Sequence, residues 1–277
     1  MIRNTKLAWF CLTPTVILLL PLIAASLVVI RLSFGVKDAE WSEVGLGAYV
    51  QLASPFFVRS FVLTLRLAAE SAVLDVLLAV PVALVLSRIR NRFWRRVCLL
   101  AVLMPLLVNL LLQSYGWLVV LGPAGVVNRT FIDLGFIERP LRLLYAEPAV
   151  LIGLVQTALP LAVLPITQAL RGVPVAMEEA AATLGARRGQ ILRQITIPIA
   201  LPAIVAAGTL VFAYNASAFA VPLLLGAGRV QMLGVVVHTE VAPLFDFPQA
   251  SSASVVLTVA ALLLTSLVGL WGRRKAA

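Results

Sequence analysis

The chain has 277 residues, of which 61% are hydrophobic and only 12% charged, and its mean hydropathy is +1.04. A soluble domain carries roughly 25% charged residues, so this composition describes an integral membrane protein and excludes an ordinary soluble enzyme or binding module. The formal charge of +10 does not point to nucleic acid, because no aromatic residues interleave with a basic groove. The basic residues instead crowd into short loops, where they orient membrane spans and attract anionic headgroups.

Crossing a hydrocarbon core takes about 20 helical residues. Six apolar stretches reach that length, at about 8–30, 61–86, 97–121, 149–170, 199–225 and 250–271, so the expectation is one all-α transmembrane domain over residues 1–277. The first stretch has a basic start and an apolar run of over 20 residues. That exceeds the 7–15 apolar residues of a signal peptide and predicts an uncleaved span. Beyond it, residues 31–60 mix Lys37, Asp38, Glu40, Trp41 and Glu43 with "GLGAYVQLASPFF", where Tyr49, Phe56 and Phe57 suit a short interfacial helix.

The second stretch carries Arg66, Glu70 and Asp75, an expensive set for a bilayer interior. Arg66 and Glu70 are one helical turn apart and can pair on one face, which favours a structural role over one in the transport path. In the third stretch Asn109 and Gln113 also share a face. Lipid cannot satisfy their amides, so they either face a water-filled cavity or bond a neighbouring helix. The loop from Gly122 to Pro148 is amphipathic, and Asn128, Asp133, Glu138 and Arg142 are expected to face water. Its "NRT" sequon would matter only in a eukaryotic secretory setting.

The fourth stretch holds Gln156, Thr157, Pro160 and Pro165, and the fifth holds Pro202, Gly208, Asn215, Ser217 and Pro222. Repeated Pro and Gly at mid-membrane are tolerated where neighbours or cavity water satisfy the freed backbone groups, which makes the fifth the leading pathway helix. The candidate translocation residues are Asn109, Gln113, Tyr115, Gln156, Asn215, Ser217 and Phe219. His238, the sole histidine, lies in the last outer loop and is assigned no chemistry. Basic residues cluster in "SRIRNRFWRR", "GARRGQILR" and "GRRKAA", which places those loops and both termini in the cytoplasm. Cys11 and Cys98 then sit near the reducing side and read as packing residues, with neither a disulfide nor a metal.

Catalytic chemistry is missing. None of Lys6, Lys37 and Lys275 follows a glycine, so no phosphate-binding loop exists and any ATP must be hydrolysed by another polypeptide. One histidine cannot build a zinc helix, and Asp75 is the sole aspartate in a span. The chain reads as a transport subunit with no catalytic residues and no bound metal.

One strip breaks the apolar pattern: "EEAAATLGARRGQILRQITIPIALPAI", Glu178 to Ile204. Pro174 suits a helix start, so a helix is expected from near Val173, with Val173, Met177, Ala181 and Leu184 forming one apolar stripe. Glu178 and Glu179 fall where the helix dipole favours anions, and Gly185 permits the reversal that ends the helix. A second helical stretch, Arg188 to Thr196, turns Ile191, Leu192 and Ile195 inward before Pro198 starts the return into the membrane. Ala180, Ala181 and Ala182 keep the first helix slim enough for another protein to approach it closely.

At these residues the chain resembles the permease subunits of ABC importers, whose pattern is Glu-Ala-Ala, three residues, Gly, nine residues, Ile, one residue, Leu-Pro. Glu179-Ala180-Ala181, Gly185, Ile195 and Pro198 fall at those spacings, with Ile197 for the usual leucine. The segments "GLGAYVQL", "SYGWLVVLGPAGVVNR", "PLRLLYAEPAVLIGLV" and "AFAVPLLLGAGRVQML" look like the polyamine-type branch. The resemblance implies a type I ABC importer permease fold in a bacterial cytoplasmic (inner) membrane. It also implies that the strip is a coupling helix docking into a separate ABC ATPase dimer, through Glu178, Glu179, Ala180, Ala181, Leu184, Gly185, Ile195 and Pro198. ATP and Mg would sit on that ATPase, with no cofactor on this chain. The other partners implied are a second, different permease subunit and a periplasmic or extracellular solute-binding protein. Polyamine permeases carry an acid before the Phe of the fifth span, where this chain has Ala218 before Phe219. That departure leaves the solute open among polyamines and other small polar solutes. The rival expectation is an ion-gradient-driven secondary transporter using Arg66, Glu70 and Asp75; no 20–50-residue repeat supports it.

Overall fold

The computed structural model describes residues 5–37 and 43–276, with side chains for 15–37 and 43–269. The expected features at Asp38, Glu40 and Trp41 and the side chain of Cys11 lie outside the described residues. Within them the chain is helical, without a strand. The helices are α1 (Thr5–Leu32), α2 (Gly47–Leu52), α3 (Pro55–Arg88), α4 (Arg92–Leu107), α5 (Leu110–Leu121), α6 (Val126–Asp133) and α7 (Glu147–Arg171). There follow α8 (Val175–Thr183), α9 (Arg188–Ile191), a π-helical turn at Leu192–Thr196, α10 (Ile197–Ala216), α11 (Ala220–Gly226), α12 (Leu233–Val241) and α13 (Phe247–Ala276). Among the described residues six helical runs are long and apolar enough to cross a membrane; five overlap the expected stretches closely, while the third runs from Leu110 to Asp133 instead of over 97–121.

Two expected spans are broken. Residues 97–121 form not one helix but α4 and α5, separated at Val108 and Asn109. The α4 ladder runs past Pro105 to the Val108 N–H on the Met104 carbonyl, and Val108 itself is extended (φ −85°, ψ 138°). The side chains close the gap: Asn109 Oδ1 accepts from Leu111 N–H at 2.8 Å, while Gln113 Nε2 donates to the carbonyls of Pro105 (2.6 Å) and Val108 (2.7 Å). The expected span 199–225 likewise stops at Ala216 and resumes at Ala220. A continuous helix would drive the Pro222 ring into the carbonyl of Ala218, four residues back. The break frees that carbonyl, which lies against Gly234, where a side chain would meet its oxygen at 2.6 Å.

The chain divides into two compact units, Met1–Val58 with Val236–Thr258 and Arg59–Val235 with Val259–Ala277. In the first, the described side chains of α1 from Thr15 to Ile30 are exposed, as suits a helix that is apolar all round and faces lipid or another span. Of the residues expected on a short interfacial helix only Tyr49 lies on one, α2, which is tied down by a 2.8 Å hydrogen bond between Tyr49 and the buried Ser33, while Phe56 and Phe57 belong to the first turn of α3. His238 lies on α12 rather than in an irregular loop. Lys37 pairs with Asp246 at 3.1 Å. Burial, and then the neighbouring Asp246, hold the Glu240 carboxyl above the usual range, and Lys37 only partly opposes them.

In the second unit α7 is the central post. Ala79 and Ala83 of α3, Ala158 and Ala162 of α7, and Ala200 and Ala207 of α10 are all buried, with Ile166 and Val211 between them. Small residues at four- and seven-residue spacing on one face let helix backbones approach in lipid, where no hydrophobic effect drives association. Cys98 is a free thiol packed against this cluster. A second cluster joins α7 to α11 through Val150, Leu154, Val221 and Leu225. There Gly153 admits the contact, since a Cβ on it would lie 2.6 Å from Val221 Cγ1 and 2.7 Å from Leu225 Cδ1. Asn128 corrects the expectation that it faces water. It is fully buried, and its amide bonds the Gly122 carbonyl and both backbone groups of Leu141. Asp133, Glu138 and Arg142 are exposed as expected.

Candidate functional site

Between α7 and α10 the chain makes a knob. Arg171, the last residue of α7, donates to the Leu86 carbonyl near the end of α3 at 3.1 Å and so fixes where the knob begins. Pro174 is the N-cap of α8 rather than a residue inside it, and the helix begins at Val175. Gly185 has φ +88°, a left-handed conformation that a side chain would strain, and the backbone reverses there. The second half differs from a simple helix–turn–helix. The backbone runs helically from Arg188 to Ala216 without interruption, and Ile197 N–H bonds the Leu192 carbonyl five residues back. This wide turn lies just before Pro198, where a missing N–H would otherwise leave a gap in the ladder.

The two adjacent glutamates have different surroundings. Glu178 accepts from Arg88 of α3 at 3.0 and 3.4 Å and from the buried Thr196 hydroxyl at 2.7 Å. It therefore clasps both halves of the knob to the end of α3. Glu179 is exposed and has no partner among the described residues. The expected stripe divides in the same way: Val173 is buried and Ala181 half-buried, while Met177 is exposed and Leu184 is 89% exposed, beside an exposed Val175. Ile191 is buried, with Leu192 and Ile195 half-buried beneath it. The outward face thus carries apolar side chains and one unpaired carboxylate, held by an inner face that is fully engaged.

The intramembrane polar residues fall into groups. Asn109 and Gln113 are committed to the α4–α5 break. Gln156 accepts from Trp117 Nε1 at 3.1 Å, joining α5 to α7. Asn215 is fully buried and donates to Ser71 of α3 at 2.8 Å. Tyr115, Ser217 and Phe219 are exposed, the last two at the α10–α11 break. Arg66 pairs with Glu70 at 3.6 Å, as its spacing predicts, and also with Glu147 in the first turn of α7, a partner 81 positions away that spacing could not reveal. No cluster of three or more His, Cys, Asp or Glu capable of holding a metal occurs among the described residues.

Residues 75–274 match the family described as binding-protein-dependent transport system inner membrane component. The chain is 31% identical over 242 residues to the spermidine/putrescine transport system permease protein PotB of Haemophilus influenzae, covering 86% of this chain and 84% of that one. It is 32% identical over 178 residues to the molybdenum transport system permease protein ModB of Mycobacterium bovis, covering 64% and 65% of the two chains. In fold it is similar to a chain of a bacterial ABC transporter involved in the import of the acidic polysaccharide alginate. The TM-score there is 0.81 over 99% of this chain and 97% of that one, at 20% identity. A chain of the inward-facing MetNI methionine ABC transporter matches at a TM-score of 0.55 and 20% identity, over 79% of this chain and 94% of that one.

Proposed function

The chain belongs to the binding-protein-dependent transport system inner membrane component family, and from that premise we propose how this ABC importer permease subunit works. The α8 knob is the point at which a separate ATPase dimer pushes. ATP closes that dimer, the knob moves as a rigid body, and the spans switch between inward-open and outward-open. A solute-binding protein on the outer face delivers the solute, and a second, different permease completes the pore. The termini and the knob lie in the cytoplasm.

The observation that carries this reading is the division of labour at Glu178 and Glu179. A surface helix with no partner would gain nothing from an unpaired carboxylate beside exposed Val175, Met177 and Leu184. A helix that inserts into a foreign cleft needs both, and needs the internal clasp as well, since a loose knob would absorb the push. The solute class best supported is a small polar cation of the polyamine type, through the similarity to PotB over most of the chain. Tyr115, Ser217 and Phe219, exposed along or beside the breaks, are the side chains we assign to the path, and Asn109, Gln113, Gln156 and Asn215 support them.

Copurification with an ATPase subunit tests the assembly. Glu179→Ala and Gly185→Pro are expected to uncouple ATP hydrolysis from spermidine uptake while membrane insertion stays normal. Uptake that persists after deletion of the ATPase would refute the reading and favour a gradient-driven carrier, and molybdate uptake in place of spermidine would refute the solute class alone.

A further inference from the structure

A groove of about 530 Å³ opens beside the knob, between the last turns of α3 and the start of the helical run that becomes α10. Its walls are Leu84, Val85, Ile89 and Leu192, and its rim carries Arg88 and Arg188. We infer that this groove holds one anionic phospholipid of the adjacent leaflet, its phosphate on Arg188 and Arg88 and an acyl chain along Leu84, Val85 and Leu192.

The argument is one of position and charge. Leu84 and Val85 belong to a helix that crosses the bilayer, and Leu192 to the start of the next crossing run, so the apolar wall continues directly into the hydrocarbon layer. The arginines stand where that wall ends, at the depth of the headgroups, and a basic pocket between spans at this level suits a lipid phosphate. The two arginines are unequally committed. Arg88 already spends Nη2 on Glu178, while Arg188 is exposed and has no partner among the described residues, which makes Arg188 the principal phosphate ligand. Next to it Gly189 leaves the mouth open, since a Cβ there would meet nothing within 4 Å. An apolar wall ending in a basic rim matches the acyl chain and the phosphate of one molecule, so the groove favours a lipid.

This inference rests on the proposed placement of the knob beside a headgroup layer, but not on coupling to an ATPase. The test uses the full chain in phosphatidylcholine bilayers with added phosphatidylglycerol, extracted mildly and weighed by native mass spectrometry. Phosphatidylglycerol is expected to be retained in preference to phosphatidylcholine. Arg188→Gln should retain about fivefold less, the factor for one arginine at a membrane surface. Arg188→Lys should recover most of the loss, and Val85→Trp, which fills the apolar wall and leaves both charges, should lose the lipid too. Equal retention of the two lipids, or undiminished retention in Arg188→Gln or Val85→Trp, would overturn the proposal. So would quantitative crosslinking of Gly189→Cys to a copurified ATPase in particles free of bound lipid. Because lipid retention is read without ATP, its failure would leave the coupling reading standing, and the Glu179→Ala coupling assay could fail without touching it.

Discussion

Replacing Glu178 by alanine removes two interactions at once, and their environments set the size of the loss. The Arg88 pair is solvated, with side chains 57% and 25% exposed, so it contributes about 0.5–1 kcal/mol after screening. The Thr196 hydroxyl is 2% exposed and donates to the carboxylate at 2.7 Å; a charge-assisted bond of that kind contributes about 1.5–3 kcal/mol. Glu178→Ala is therefore expected to destabilise the knob by about 2–4 kcal/mol. Glu178→Gln keeps an acceptor for Thr196 and should lose closer to about 1 kcal/mol. Glu179→Ala, on an open surface, should stay within about 0.5 kcal/mol. Thermal unfolding of the purified chain in detergent gives the order, and proteolysis at the exposed Arg187 gives the local effect. If Glu179→Ala destabilised as much as Glu178→Ala, the division between an inner clasp and an outer, uncommitted carboxylate would be wrong. If Glu178→Gln matched Glu178→Ala, the ion pair and not the threonine would be the fastening.

Gly153→Ala should cost about 1–3 kcal/mol by overpacking α7 against Val221 and Leu225, read as a lower melting point. Asn128→Ala leaves the Leu141 N–H and two carbonyls without their bonds. It should cost about 1–3 kcal/mol and expose the segment after α6 to protease. Glu240 has its carboxyl pKa raised in the folded state, so the folded chain holds this proton more tightly than the unfolded chain. Its stability therefore falls as pH rises from the ordinary glutamate value through the raised one. Glu240→Gln should melt higher than the parent near neutral pH and equal it at about pH 4; a difference that persists unchanged at the lower pH would refute the assignment.

The membrane-crossing segments were legible in the sequence because apolar length is the one requirement that lipid imposes. Hydropathy is blind to what happens inside a span, and both breaks escaped it. The signals were nonetheless present: Pro222 has no N–H and its ring excludes a helical carbonyl at Ala218, and Asn109 is a residue type that caps helices. Proline at mid-membrane is compatible with a kinked but continuous helix as well as with a break, and the polarity of Asn109 does not reveal that its amide caps a new helix. Asn128 was misplaced for the opposite reason. An amphipathic loop makes a polar residue look solvated, and only the fold brings Gly122 and Leu141 to its amide. Within the knob, spacing located Glu178 and Glu179 but could not separate their roles, because Arg88 lies 90 positions away from the acid it holds.

The wide turn at Leu192–Thr196 acts as a phase setting. From Arg188 to Ala216 the backbone is a single rod of 29 residues, roughly 43 Å long, which exceeds the about 30 Å of a hydrocarbon core and ends at the break before Phe219. The rod has one extra residue in its winding, and each residue is worth about 100° of rotation. The wide turn takes that residue up locally, so deleting one residue from it would restore a regular α-helix with the two halves still in phase, whereas a deletion elsewhere in the rod would swing its two ends about a quarter turn against each other.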